Sequence, residues 1–154
     1  MIGPDELVGE WTIEREVSDL LAGIVGKFAG TLRVSADGAG FPWYESGMLT
    51  WGDYTGPAER SLLLRTVDGA WWMCFADGRL FHPWQVGVEV VHPCAADVYR
   101  GRIEPNGADE FTITWHVTGP AKRQLIVSRM TRVQAASLAS ATSTPSMRTR
   151  RATT

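Results

Sequence analysis

The sequence has no long apolar run and little net charge, and each of these absences excludes a class of protein. No segment approaches the roughly 20 apolar residues that a membrane-spanning helix requires. The 154-residue chain has a formal net charge of −2, a mild value that argues against the clustered basic face typical of nucleic-acid binding. We therefore expect neither a membrane nor a nucleic acid as a partner.

The beginning of the chain also lacks the apolar segment of a secretory signal. It reads MIGPDELVGEW and is acidic, so we expect a cytoplasmic protein. The sequence contains two cysteines, Cys74 and Cys94. Because disulfides are rare in a reducing compartment, we expect both to be free thiols.

Motifs that bind cofactors or activate nucleophiles are missing as well. The sequence has no P-loop, no G-x-G-x-x-G after a strand and no G-x-S-x-G. His82, His92, Cys94 and Asp97 offer atoms that bind zinc, but they lack the paired C-x-x-C or H-x-x-x-H spacing of zinc sites. We therefore predict no metal and no cofactor.

No amphipathic stretch is long enough for a sizeable helix, whereas apolar and polar residues alternate along most of the chain. Four Asp-Gly or Asn-Gly pairs separate the alternating segments, and such pairs favour tight turns between strands. About nine strands at roughly ten-residue spacing predict an antiparallel meander. A meander of this length hides its edges best by closing into an up-and-down β-barrel.

We therefore predict an all-β protein with a single antiparallel up-and-down β-barrel over residues 1–133. Residues 134–154 are rich in Ala, Ser, Thr and Arg, with almost nothing to bury, and are predicted to form a disordered tail. The alternative is an open sheet wrapped on a helix.

The chain is organised around residues 68–84, DGAWWMCFADGRLFHPW. They predict a hairpin with a two-residue turn at Asp77-Gly78. In its first strand Trp71, Met73 and Phe75 share one face, and Trp72 and Cys74 share the other. Elsewhere we expect a helical turn over residues 18–23, a loop over 51–58, and a strand over 85–91 that ends at His92-Pro93.

Several polar side chains occupy positions where the alternation predicts apolar ones. Burying such groups costs several kcal/mol unless a partner satisfies them. One interpretation is internal ion pairs, for example Arg15 with Glu45 or Asp97, that fix the register. The other is that some of them line a ligand pocket. The set comprises Arg15, Glu45, Asp97, Tyr99 and Arg129.

Seven tryptophans are an unusual number for this length. They fit an aromatic core, but a barrel interior does not pack many indoles tightly, and an aromatic-walled cavity for a flat or apolar ligand is the alternative. The predicted ligand-binding wall comprises Trp43, Trp72, Met73, Phe75 and Trp115.

Seven short motifs resemble a bacterial and fungal family that is named only as a domain of unknown function (six-three-one-four in the usual series). Two are specific in combination: F-x-D-G-R-x-F-H at residues 75–82 and H-x-C-x-x-D-x-Y at residues 92–99. The others are L-x-G-x-W-x-x-x-R from Leu7, G-x-F from Gly26, Y-E-x-G from Tyr44, A-x-R from Ala58 and W-x-V-x-G-P-x-K from Trp115.

The resemblance implies a calycin-like (lipocalin-like) barrel and no established activity. It also implies that Trp11, near the barrel floor, is covered by an arginine of the final strand. Arg129 is our candidate, stacked on the indole as a cation. Trp11, Arg15, Asp97 and Arg129 are thus the predicted structural residues.

Our leading functional interpretation is a barrel that binds a small, largely apolar, polyketide-like molecule and cyclises or isomerises it without a cofactor. Such a reaction needs an enforced substrate conformation and hydrogen bonds to a carbonyl group. The predicted catalytic groups are Tyr44, Glu45, Arg79, His82, His92 and Tyr99. The alternative is a non-catalytic carrier or sensor of a lipid, haem or pigment. A homodimer formed by the second apolar face, around Trp72 and Cys74, is a third possibility.

Overall fold

The computed structural model describes residues 3–134. The predicted tail, residues 134–154, lies outside this range except for its first residue. Within the described range, no helix has the length and apolar character needed to cross a membrane.

One short 3-10 helix precedes ten antiparallel strands. The helix is η1 (Pro4–Leu7), and the strands are β1 (Gly9–Asp19), β2 (Ile24–Val34), β3 (Phe41–Trp51), β4 (Tyr54–Val67), β5 (Ala70–Phe75), β6 (Leu80–Pro83), β7 (Glu89–Cys94), β8 (Asp97–Pro105), β9 (Glu110–Thr118) and β10 (Arg123–Arg132).

The strands form one sheet in the order β6-β5-β4-β3-β2-β1-β10-β9-β8-β7. The first and last strands pair with each other over residues 11–19 of β1, so the free sheet edges are strands from the middle of the sequence, β6 and β7. Within the described residues these edges, β6 and β7, do not pair with each other, and the segment that connects them forms one isolated bridge, from Val86 to Ile103 on β8. The prediction of an all-β, antiparallel up-and-down barrel of lipocalin-like form is confirmed. The barrel is nearly closed, and the gap between β6 and β7 is its seam.

Alternation along the strands decides which side chains fill the interior. On β2, Phe28, Leu32 and Val34 are buried while Lys27 and Arg33 are exposed. Most of the other strands bury their apolar residues with the same period of two, because successive side chains of a strand point to opposite faces. The largest fully buried side chains include Trp11, Trp43, Phe111, Leu7 and Met73.

Two of the Asp-Gly pairs, at residues 68–69 and 77–78, make different turns. Val67 pairs with Ala70 across Asp68 and Gly69, whose φ values are 51° and 80°, as a two-residue hairpin turn requires. At Asp77-Gly78 the prediction of a two-residue turn is wrong. Four residues connect β5 to β6, and the register shifts between Met73 and Cys74.

Two local predictions are wrong for physical reasons, and a third is right about the turn but not about where it starts. Residues 51–58 do not form a loop, because Gly52 (φ 57°) turns the chain at once and β4 begins at Tyr54. His92-Pro93 does not end a strand but lies inside β7. Proline is tolerated there because β7 is an edge strand, in which one side of the backbone needs no partner. Residues 18–23 contain the predicted turn, because the Gly23 N–H donates to the Asp19 carbonyl oxygen at 2.9 Å. The turn starts later than predicted, since β1 continues through Ser18 to Asp19, whose carboxylate accepts bonds from the N–H groups of Leu21 and Ala22.

Candidate functional site

One end of the barrel contains a cavity of about 320 Å³. It lies where β1, β7 and β9 end and where β6, β8 and β10 begin. We call it the aromatic cavity, and it is lined by Arg15, Val17, Arg60, Phe75, Phe81, His92, Cys94, Tyr99, Ile113, Trp115, Ile126 and Ser128. A smaller cavity of about 170 Å³ adjoins it and shares Arg15, Val17 and Arg60.

Stacked rings form one wall of the aromatic cavity. The Phe81 ring is stacked between Phe75 at 4.8 Å and Trp115 at 5.6 Å, centroid to centroid. His92 meets the Phe81 ring edge-on at 5.3 Å, and Tyr99 meets Trp115 at 6.3 Å. The wall is therefore a continuous aromatic surface that spans the five strands β5 to β9, including the gap between β6 and β7.

A glycine on the neighbouring strand gives Trp115 its position. Gly101 on β8 is paired with Trp115 on β9, and a Cβ atom at Gly101 would overlap the indole ring. The bare backbone of β8 thus lets the ring lie flat over it. This part of the wall therefore depends on a large residue, Trp115, paired with a residue that has no side chain, Gly101.

The opposite wall carries a buried carboxylate held by two arginines. Glu45 is 1% exposed, and Oε1 and Oε2 accept hydrogen bonds from Arg15 Nη1 and Arg60 Nη2, both at 2.9 Å. Trp43 Nε1 donates a third bond at 2.8 Å. Arg15 Nε donates to Ser128 Oγ at 2.7 Å. We call these residues the Arg15–Glu45–Arg60 cluster, which joins β1, β3, β4 and β10.

The arginines keep Glu45 ionised although it is buried. Burial alone raises the pKa of the Glu45 carboxyl, but the charges of Arg60 and Arg15 and the hydrogen bonds from Arg15 and Trp43 lower it to about 2. At neutral pH the cluster therefore carries two positive charges and one negative charge.

Two histidines lie near the aromatic wall in different surroundings. His82 is buried behind it, with its ring 5.0 Å from Trp115 and Nδ1 at 2.8 Å from the Pro83 carbonyl oxygen. Burial lowers the pKa of His82 to about 4. His92 faces the cavity, and its partial burial also lowers the pKa of the imidazole. Both rings are therefore neutral at pH 7.

The structure brings several predicted site residues to the aromatic cavity and separates others from it. Phe75, His92, Tyr99 and Trp115 line it, as does Arg15. Glu45 lies behind Arg15 and Arg60, and the remaining inward residues Trp43, Met73 and His82 belong to the packed interior.

Three predicted residues lie on the outside of the barrel. Tyr44 is exposed and donates a hydrogen bond to Glu59 at 2.7 Å. Arg79 is exposed on the β5–β6 loop and pairs with Asp77. Trp72 is half-buried on the face of β5 opposite Met73, next to the buried Cys74. The homodimer through this face stays a prediction.

The arginine that covers Trp11 is Arg132, and our candidate Arg129 is wrong. The Arg132 guanidinium lies 4.2 Å from the Trp11 ring centroid, and the two residues are paired in register on β10 and β1. Arg129 is one of the outward residues of β10 and pairs with Glu110. Both faces of β10 carry apolar residues, so its alternation does not reveal which face is inside.

The predicted pair of Arg15 with Glu45 is present, whereas Asp97 lies elsewhere. Asp97 pairs with Lys122 at 3.6 Å at the rim of the barrel. Sequence reasoning missed Arg60, Phe81 and Ser128 as cavity residues. Arg60 shares the inward parity of Leu62 and Leu64 on β4, and this signal could have identified it.

Metal-binding groups do not gather at this site. Among residues 3–134, no three His, Cys, Asp or Glu side chains lie close enough together to hold a metal ion. Cys94 is an exposed thiol at the rim, and Cys74 is buried in β5.

These features define a lipocalin-like antiparallel barrel that is packed at one end and hollow at the other. The chain belongs to the Family of unknown function (DUF6314), whose model matches residues 7–132. A search of the curated proteins finds no match.

Solved structures resemble the fold at low sequence identity. The chain is similar to the S-type phycobiliprotein lyase CPES from Guillardia theta, with a TM-score of 0.60, 9% identity, and 86% of this chain and 91% of that chain covered. It is also similar to a de novo designed fluorescence-activating β-barrel, with a TM-score of 0.45, 12% identity, and 86% of this chain and 100% of that chain covered.

Proposed function

We propose that this protein binds a small, largely apolar molecule in the aromatic cavity. The observation that carries the proposal is a wall of aromatic rings that lines an open space of about 320 Å³. Ligand sites in proteins are typically concave, mostly apolar, and about 300–1,000 Å³ in volume. The aromatic cavity lies at the lower end of this range, which suits a ligand of one to three rings.

The other end of the barrel provides the contrast that supports this proposal. There Trp11 packs edge-on against Phe111 at 4.9 Å, and Trp43 contacts Trp84 at 6.0 Å and Phe111 at 6.2 Å. These rings fill the interior as an ordinary aromatic core. The two interpretations of the tryptophans thus apply to different ends of one barrel.

The test is a titration with N-phenylnaphthylamine, an uncharged probe that becomes fluorescent in apolar sites. Binding to the wild-type protein should be saturable with one site per chain. Trp115→Ala removes the largest ring of the wall and should weaken binding about tenfold or more. Trp72→Ala removes the same side chain from the outer face and should leave the affinity within about twofold. Equal effects of the two substitutions would place the probe elsewhere and reject the proposal.

A second candidate function is cofactor-free isomerisation or cyclisation of a bound polyketide-like carbonyl compound. The position of His92 favours it, because its neutral imidazole and the two arginines face one cavity. His92 would take a proton from the carbon beside the carbonyl group, the electron pair would move to the oxygen near Arg60, and the same proton would return at another carbon.

Proton abstraction by His92 has a direct readout. A bound aromatic ketone incubated in deuterium oxide should exchange the hydrogen beside its carbonyl group, and His92→Gln should abolish this exchange while leaving binding intact. A ligand that binds without exchanging hydrogen would instead favour the non-catalytic carrier or sensor. A visible absorption band in protein purified from its source would point the same way and indicate a pigment or haem.

A further inference from the structure

We propose that the ligand of the aromatic cavity is an anion, whose apolar body lies against the ring wall and whose acidic group binds Arg15 and Arg60. This inference rests on the proposed function and adds the chemical class of the ligand. Its acidic group is one that accepts two or more N–H bonds, such as a carboxylate or a sulfonate.

The charges that line the cavity have one sign. Among the described residues that line it, Arg15 and Arg60 are the charged side chains, and none is an acid. The other polar groups are the Tyr99 and Ser128 hydroxyls, the neutral His92 ring and the Cys94 thiol. A ligand with a positive charge would therefore meet like charges and no partner.

The positive charge of the two arginines exceeds the negative charge of their internal partner, Glu45. Glu45 neutralises one of the two positive charges, so the Arg15–Glu45–Arg60 cluster keeps a net charge of about +1. Within residues 3–134, the neighbouring acids Glu59 and Asp97 form no ion pair with either arginine. Glu59 lines the adjoining cavity and accepts a bond from Tyr44, and Asp97 pairs with Lys122 at the rim.

The arginines also keep hydrogen-bond donors for a ligand. A guanidinium group carries five N–H groups. Within residues 3–134, Arg15 donates through Nε to Ser128 and through Nη1 to Glu45, while Arg60 donates through Nη2 to Glu45. The other N–H groups of both side chains have no such partner in the described chain. Because Glu45 and Ser128 already hold the Arg15 guanidinium at two atoms, little side-chain entropy of Arg15 is lost when an anion binds.

Partial burial strengthens this attraction for Arg15. Its side chain is 15% exposed, whereas that of Arg60 is 45% exposed. A charge held in a half-apolar wall interacts with a ligand charge more strongly than a solvated surface charge does. Arg60, at the more open position, has room to adjust to the acidic group of the ligand.

The experiment compares two fluorescent probes with nearly the same rings. Anilinonaphthalene sulfonate is an anion, and N-phenylnaphthylamine is uncharged. Arg60→Gln should weaken binding of the anion about tenfold while changing that of the uncharged probe by less than about twofold. Arg129→Gln removes an exposed arginine from the outside of β10 and should affect neither affinity. Equal loss of both probes in Arg60→Gln, or no loss of either, would overturn the inference.

A second measurement needs no variant, in case Arg60→Gln does not fold. Naphthoate and naphthamide have the same rings and similar size, but only naphthoate is charged at pH 7. In displacing N-phenylnaphthylamine from the wild-type protein, naphthoate should bind about tenfold more tightly than naphthamide. Equal or weaker binding of naphthoate would refute the anion while leaving the proposed function intact. No saturable binding of N-phenylnaphthylamine itself would reject both.

Discussion

Glu45 is an ionised carboxylate with almost no exposed surface, and the residues that donate hydrogen bonds to it lie on three strands, β1, β3 and β4. Breaking a buried ion pair by removing one partner is costly, because the remaining charges lose their compensation. Arg15 and Arg60 are partly exposed and recover some hydration when Glu45 is replaced. Glu45 therefore acts as a brace between the strands around the cavity as well as a holder of the two arginines.

Replacing Glu45 with glutamine should lower the free energy of unfolding by about 3 kcal/mol. Glu10→Gln is the matched control, because Glu10 accepts a bond of the same 2.9 Å length from Arg33 on the exposed face. Its effect should stay within about 0.5 kcal/mol. Urea denaturation measures both, and similar values for the two variants would contradict the bracing role.

The stabilisation by Glu45 should also depend on pH in a predictable direction. Its pKa is lowered from 4.5 to about 2 in the folded protein, so its contribution is fully present above about pH 4.5 and is lost as the pH falls through about 2. The unfolding free energies of wild type and Glu45→Gln should therefore converge between these values. Parallel curves over the same range would show that the carboxyl is not held ionised by the fold.

Arg132 closes the packed end of the barrel. Besides covering Trp11, it donates hydrogen bonds to the Glu6 carbonyl oxygen at 2.7 Å and the Val8 carbonyl oxygen at 3.3 Å. Arg132→Ala should cost about 2 kcal/mol of stability, whereas Arg129→Ala should cost less than about 0.5 kcal/mol. Thermal unfolding followed by tryptophan fluorescence would test this ranking, and equal effects would remove the special role of Arg132.

Among the elements, β6 and β7 are the free edges of the sheet. β6 has four residues, pairs with β5 alone, and does so with a register shift. Ring contacts such as Phe81 with His92, at 5.3 Å, cross the seam to β7. A wall joined by side chains rather than by a backbone ladder opens at lower cost than the rest of the barrel.

Backbone amides of β6 and β7 should therefore exchange hydrogen fastest among the strands. We expect rates at least about 100-fold higher than those of β1 and β10, which pair with each other over their length. Hydrogen exchange followed by NMR gives the comparison. If the amides of β6 exchanged as slowly as those of β1, the gap between β6 and β7 would be as stable as the paired strands β1 and β10.

The pairing of β8 with β9 sets the shape of the cavity through Gly101. Gly101→Ala puts a methyl group where the Trp115 ring lies, so the ring must move into the cavity or away from Phe81. Affinity for N-phenylnaphthylamine should fall about tenfold, the equivalent of about 1.4 kcal/mol. An unchanged affinity in a folded variant would show that the flat position of Trp115 is not needed for binding.

At the scale of the whole molecule, the sequence predicts the barrel better than its contents. Strict alternation on β2 and β3 and the turn dipeptides predict the meander, and the two inward charges Arg15 and Glu45 predict their own pair. β10 is apolar on both faces, with Leu125 and Val127 outside and Ile126 and Met130 inside, so period-two reasoning alone cannot choose between Arg129 and Arg132. Closure of the barrel decides this, and closure is a long-range property.

The hollow end is a further long-range result. Trp43 and Trp115 have the same inward parity, yet Trp43 is in the solid core and Trp115 lines the cavity. The difference arises from the height of each residue along the barrel axis and from the small residue opposite Trp115. Trp72 and Met73 are neighbours on β5, but Trp72 faces outward. A shift of the strand register by one residue would reverse the two. Neither the position of a residue along the barrel axis nor the strand register can be read from a few neighbouring residues in the sequence.

The most direct test of the account is to map where a bound ligand contacts the protein. In proton–nitrogen NMR spectra titrated with anilinonaphthalene sulfonate, the largest shifts should fall on the Trp115 indole, the Arg15 and Arg60 side chains and the backbone at Phe81 and Tyr99. The indoles of Trp11 and Trp72 should hardly move. Shifts concentrated at Trp72 or spread evenly over the barrel surface would contradict the claim that the aromatic cavity is the binding site.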